Sequence, residues 1–269
     1  MNVIGIMRIK NESQWIARCI SSILPVCNQV IVLDDHSTDS TPDICRNLHE
    51  KVQYHLSPFT GLNEVRDKNW LLEKAVEEKA DWIVSIDGDE MLEASGVEKL
   101  MVEMREATVP CLSLRVLYLW GNENNVRVDG VYGDFHRESV FRPEAKHKFL
   151  STSAGGNFHC GNVPVGVRGK RKVLEVPLLH FGYMERATRV KKLDFYTSVD
   201  WKNTTEDWYR HITQGDDVRL EELPRVQGLV EKGVLDVSDV AYITDVPKEL
   251  RLVHAGPLAV RALSEMGKP

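Results

Sequence analysis

Three carboxylates within four residues, Asp87-Gly88-Asp89-Glu90, follow directly on the run Trp82-Ile83-Val84-Ser85-Ile86. A buried strand that ends this way delivers acidic oxygens to one edge of a sheet, where ligands collect in open α/β folds. Such oxygens suit a hard divalent cation, and a cation held there neutralises a diphosphate. The same residues also describe a strand closed by an ordinary acidic turn. A second acidic pair, Asp34-Asp35, closes the earlier apolar run Val30-Ile31-Val32-Leu33. In a parallel sheet both pairs open at the same edge, one offering a nucleotide an acceptor for its base or ribose and the other a metal for its phosphates.

The elements that must position these clusters alternate along the chain. Val3 to Met7 reads as a strand. In Asn11-Glu12-Ser13-Gln14, Asn or Ser is expected to cap a helix whose inward residues are Trp15, Ile16, Cys19, Ile20, Ile23 and Leu24. Val30 to Leu33 is a second strand, Thr41-Pro42 opens a second helix, and Val52 to His55 is a third strand. A helix over about 63–79 then turns Val65, Leu72, Ala75 and Val76 inward, just before the strand that ends at Asp87. This alternation argues for a parallel sheet wrapped by helices.

Farther along, Ser95 is expected to cap a helix carrying Val97, Leu100, Met101 and Met104, and Cys111 to Leu119 is a long strand. Paired strands are expected around Gly121, Gly130 and Gly133. Glycines 155, 156, 161, 166 and 169 mark an irregular stretch, expected to be a mobile loop that orders when a diphosphate binds and that carries the basic cluster Arg168-Gly169-Lys170-Arg171-Lys172. Val173 to Leu179 is extended and leads to His180; beyond it helix is expected to dominate, ending with Leu258 to Met266.

At 269 residues the chain is long enough for one large domain with an appendage. We read residues 1–185 as the domain that carries the acidic strand ends and 186–269 as a mainly helical extension packed on it. A net charge of -6 offers no global attraction to nucleic acid. The start, Met1-Asn2-Val3-Ile4-Gly5-Ile6-Met7, lacks the basic flank of a signal peptide, and no apolar run has the length of a membrane span. Cys19, Cys27, Cys45, Cys111 and Cys160 are odd in number and form no Cys-x-x-Cys pair, so a cytoplasmic chain with reduced thiols is expected.

Three segments together, Arg8-Ile9-Lys10-Asn11-Glu12, Val32-Leu33-Asp34-Asp35-His36-Ser37-Thr38-Asp39-Ser40-Thr41 and Ile86-Asp87-Gly88-Asp89-Glu90, resemble the family 2 glycosyltransferases of the GT-A fold. The likeness is close over residues 1–95 and thins out to about 185. It implies a Rossmann-like, mostly parallel α/β sheet flanked by helices, and a metal-dependent enzyme that moves a sugar from a nucleoside diphosphate to an acceptor hydroxyl with inversion. It places Arg8, Asp35, Arg66 and Asp87 on the nucleotide sugar, with Asp35 toward the base and Asp87 toward the ribose or metal. Asp89 is implied to bind Mn2+ or Mg2+ bridging the diphosphate, and His180 to be a further ligand, imidazole being suited to Mn. Arg66 would otherwise be a solvated helix position and His180 a satisfied core histidine; His159 is a rival ligand.

The resemblance also implies a carboxylate base after the metal motif. Asp134, in the segment before Val140-Phe141-Arg142-Pro143, is the expected residue, with Glu138 and Asp129 as competitors, and an aspartate beside glycine is also a frequent turn former. Where many members carry Thr-Tyr-Asn this chain has Ile9-Lys10-Asn11, so an aromatic ring on the base is missing; either the Lys10 stem covers the base or the preference differs. A UDP- or dTDP-sugar donor is expected. The alternatives are a nucleotidyltransferase, which would want a glycine-rich phosphate loop that Met7 to Asn11 lacks, and an inactive GT-A-fold binding protein, against which the intact Asp35, Asp87 and Asp89 count.

Overall fold

The central strand, β1 (Val3–Ile9), is buried at every position except Arg8. The computed structural model describes residues 1–151, 160–167, 170–199, 206–213, 218–223 and 234–236. In it β1 runs parallel to β2 (Gln29–Asp34) and β4 (Trp82–Ser85), and β2 runs parallel to β3 (Val52–Leu56). Side chains alternate between two apolar layers, as a strand covered on both faces requires. Val3, Met7, Ile9, Val30, Val32, Trp82 and Val84 pack in the layer of α1 (Ile16–Ile23), α2 (Thr41–Leu48) and α4 (Gly96–Glu106). Ile4, Ile6, Ile31, Leu33 and Ile83 face α3 (Glu64–Glu77), whose Leu71, Leu72 and Ala75 meet them.

The second half of the sheet is mixed. After β5 (Glu90–Leu92) and α4 come β6 (Cys111–Trp120), β7 (Asn122–Arg127) and β8 (His136–Phe141), and β8 inserts antiparallel between β4 and β6. The long β9 (Lys170–His180) lies parallel to β6 and antiparallel to β5, setting Glu90 opposite His180. Helices α5 (Arg186–Val199) and α6 (Glu206–Thr213) follow, then β10 (Leu220–Glu222) on β7 and β11 (Val234–Asp236) on β9. The region expected to be mainly helical thus also supplies edge strands. The expected closing helix, Leu258 to Met266, lies outside the described residues.

Two local expectations need correction. Neither Asn11 nor Ser13 caps α1; the Trp15 and Ile16 amides donate to the Glu12 carbonyl at 2.9 Å, while Asn11, left-handed at φ 55°, accepts from the Thr38 amide at 2.7 Å. Lys170, Arg171 and Lys172 belong to β9, not to a loop, because the strand pairs with β6 and each of two charges meets an acid: Arg171 binds Glu138, and Lys172 reaches Glu103 at 2.8 Å. Gly155, Gly156, His159, Arg168 and Gly169 lie outside the described residues. No helix among the described residues is long and apolar enough to cross a membrane.

Candidate active site

Because β1, β2 and β4 are parallel, their C-terminal ends open together, and two charged clusters stand there. In the first, Asp34 is fully buried and structural: Ser37 donates to it through its amide and hydroxyl at 2.9 and 2.6 Å, and Tyr54 Oη donates at 2.7 Å. Asp35, one residue on, turns to Arg8, whose Nη2 lies 2.7 Å from Asp35 Oδ2 while its Nε lies 2.9 Å from Asp67 Oδ2. Asp67, on α3, also takes Arg66 at 2.8 Å. The Lys10 ammonium is half-exposed, 3.4 Å from Asp35, and the Arg66 guanidinium lies over the Phe59 ring at 4.5 Å. The sequence-derived residues Arg8, Asp35 and Arg66 therefore share one network, joined by Asp67, which the motif gave no reason to single out.

The second cluster forms where β4 passes through Asp87 and Gly88 into β5. Asp87 is 42% exposed and 3.3 Å from Arg137 of β8, which also binds Glu90. Glu90 is fully buried, and its Oε1, like Arg137 Nε, has no hydrogen-bond partner among the described residues. Burial beside Asp87 and Asp89 pushes the Glu90 carboxyl up to about 7, against the pull of Arg137. Glu12 lies over the turn so closely that a Cβ on Gly88 would come 2.9 Å from its Cγ. Burial, together with Asp89, Asp87 and Asp39, raises the Glu12 carboxyl to about 8.

Asp89 meets His180 through the β5–β9 pairing, where the Phe181 amide donates to the Asp89 carbonyl at 2.9 Å. A Cβ on Gly182 would fall on Asp89 Oδ2, Lys192 Nζ and His180 Cε1 at once, so glycine leaves the space in which these groups converge. His180 is buried between Tyr118 and Tyr183, at 4.9 and 4.8 Å between ring centres, and burial lowers it to about 4. A neutral imidazole and a carboxylate are the right donor types for Mn2+ or Mg2+. Each is engaged, however: His180 Nδ1 accepts from the Gly182 amide at 2.9 Å, and Asp89 Oδ2 holds Lys192 Nζ at 2.5 Å. No group of three His, Cys, Asp or Glu side chains suited to a metal occurs among the described residues, so a divalent ion here would depend on donor oxygens or water for its other positions.

Asp134 stands in neither cluster. It is 51% exposed beside β8, with Arg115 Nη1 and His136 Nδ1 each 3.4 Å away, and His136 Nε2 lies 2.7 Å from Glu175. Its competitors are held by arginines: Glu138 by Arg171, and Asp129 by Arg127 at 2.8 Å. Lys68 fixes the far wall, its ammonium 2.9 Å from Asn162 Oδ1, while Asn162 donates to the Ser85 carbonyl at 3.3 Å. Lys68, Glu12, Arg137 and Lys192 were not singled out from the sequence, because their roles come from distant contacts; Glu12 stands in the segment Arg8 to Glu12, where nothing local marks it as facing Gly88.

The glycosyl transferase family 2 model matches residues 6–161, more than half of the chain. The chain belongs to that family. It is 39% identical over 199 residues to an uncharacterized glycosyltransferase of Rickettsia prowazekii, covering 72% of this chain and 65% of the relative. A counterpart in Rickettsia conorii is 26% identical over 199 residues, covering 72% and 67%. The chain thus spans about two thirds of the length of these relatives. The fold is similar to S. aureus TarS residues 1–349 in complex with UDP-GlcNAc, at a TM-score of 0.50 and 13% identity over 79% of this chain and 70% of that one. The protein is therefore a glycosyltransferase with a GT-A fold.

Proposed function

We propose that the chain transfers a sugar from a UDP- or dTDP-sugar to an acceptor hydroxyl by direct displacement, with inversion at the anomeric carbon and with Mn2+ or Mg2+ as cofactor. The observation that carries this reading is the convergence of two acidic strand ends, Asp35 and Asp87 to Glu90, at one sheet edge. Asp35 receives the base, Arg8 fixes that carboxylate, Arg66, held by Asp67, contacts the nucleotide, and Asp87, half in solvent, faces the ribose. Asp89 and His180 are the donors that would hold the ion, which when bound offsets the charge growing on the departing diphosphate.

Asp134 takes the acceptor proton. Its exposure and its support from Arg115 and His136 suit a base that must meet a second substrate. We place the donor-binding and catalytic domain at residues 1–185, with α5 of the following segment contributing Lys192. The five buried free thiols support a cytoplasmic setting.

A panel of nucleotide sugars, scored for hydrolysis with Mn2+ or Mg2+ and for thermal shift, tests the reading. A uridine or thymidine donor should be hydrolysed and should raise the melting temperature. If no nucleotide sugar does either, the enzymatic reading fails and a binding role takes its place.

A further inference from the structure

Lys192 lies on α5, beyond the segment that the family model matches, yet its ammonium is the group in closest charge contact with Asp89. Its side chain is 25% exposed, with Nζ 5.5 Å from the Tyr183 ring centre. Asp89 and Glu12 face it, and Asp87 and Glu90 of the same turn face the second cation, Arg137. Arg137 is committed to Asp87 and Glu90. Lys192 is the cation in direct contact with Asp89, on Oδ2, one of the two carboxylate oxygens open to a divalent ion, while Arg137 acts on it from farther away.

Resting on the glycosyl-transfer reading, we propose that Lys192 is a resident cation that keeps divalent ions off Asp89 until a nucleoside diphosphate arrives, and that its ammonium then pairs with the diphosphate. An ammonium and a divalent ion repel each other on one carboxylate oxygen, so the ion gains the site only when the lysine has a better partner. A diphosphate is such a partner: it carries more charge than Asp89, and a lysine on four flexible carbons reaches a new acceptor by rotation of its own side chain. Ion binding thereby becomes conditional on the donor, so that free ions do not fill the site unproductively.

Titration calorimetry of the whole protein tests this with two probes, Mn2+ alone and UDP in the presence of a chelator. Wild type should take up little Mn2+ without nucleotide. Lys192→Met should bind Mn2+ alone at least tenfold more tightly and should bind UDP roughly tenfold or more weakly in chelator, the scale of a lost charge-assisted hydrogen bond. Lys192→Arg, which preserves the charge and the fold, should still exclude Mn2+, and it serves as the decisive variant if the methionine form does not fold. Equal Mn2+ affinity in wild type and Lys192→Met, or free Mn2+ uptake by Lys192→Arg, overturns the proposal. Failure of wild type to bind either UDP or dTDP, with Mn2+ present as well as in chelator, would instead overturn the glycosyl-transfer reading, which separates the two.

Discussion

At the nucleotide end of the site, Arg8 joins Asp35 across 27 residues and Asp67 across 59, and Arg66 and Lys10 add further positive charge to the same two aspartates. At the other end, Arg137 meets Glu90 across 47 residues and Lys192 meets Asp89 across 103, with carboxylates outnumbering cations. The first cluster is internally compensated and keeps its geometry without a ligand. The second holds two carboxyls, Glu12 and Glu90, raised toward neutral pH, and a Glu90 oxygen without a hydrogen-bond partner among the described residues, so positive charge brought from outside would favour their ionised forms. One end is built to recognise and the other to be completed.

The sharpest way to break this contrast is Arg8→Met. It strands Asp35 and Asp67 without their shared cation, and removing one partner of a buried network costs roughly 3–5 kcal/mol. Urea denaturation should show that loss; a change under about 1 kcal/mol would mean that Arg66 and Lys10 already suffice. Asp134→Asn probes a residue outside both clusters. Turnover should fall by roughly 10²–10⁴-fold with donor affinity nearly unchanged, the signature of a lost general base in steady-state kinetics. Turnover like wild type would move the role to Glu138 or Asp129.

Gly182→Ala sharpens the contrast from the acidic side. The added methyl meets the flexible ends of Asp89 and Lys192 and the His180 ring, which two tyrosines hold, so stability should fall by about 1–3 kcal/mol while Mn2+-supported UDP binding weakens by roughly tenfold or more. Calorimetry that finds unchanged binding would show that these three groups do not form the diphosphate end. The smallest effect is expected at Asp39, which ties the two loops below the nucleotide end. Burial pushes its carboxyl up, but hydrogen bonds from Thr41 and Ser13 outweigh this and hold it down to about 2. A carboxyl depressed on folding stabilises above its unfolded value and loses that contribution as pH falls. Asp39→Asn should therefore melt slightly below wild type at neutral pH, and the gap should close between about pH 4 and 2.

Local pattern reached far into the fold. Alternation in β1, β2 and β4 and the spacing in α1 and α3 followed from apolar residues that a two-sided sheet and one helix face demand. The positions of Asp35, Asp87 and Asp89 at strand ends were legible for the same reason, since a strand's end is written beside its run. Their partners were not. Asp67 sits on α3 among ordinary charged residues, Glu12 reads as part of a cap, and Lys192 is one of several lysines on a helix of weak apolar pattern. Only the pairing of β5 with β9 reveals that Lys192 belongs to the site. The basic run at 170–172 misled because the glycines up to Gly169 were read as an irregular stretch reaching through it, whereas Glu138 of β8 and Glu103 of α4 take its charges and let it lie in a strand.

That pairing also sets an order of assembly. The nucleotide end is complete once α3 has left the ribosome, but the carboxylates of Asp87 to Glu90 must wait for His180 and Lys192. At about 5–20 residues per second, the 103 residues between Asp89 and Lys192 take roughly 5–20 seconds to make. Closing so long a loop is slow in chain entropy as well as in synthesis. A nascent chain thus completes the network of Arg8, Asp35, Arg66 and Asp67 well before it acquires the charges that face Asp89.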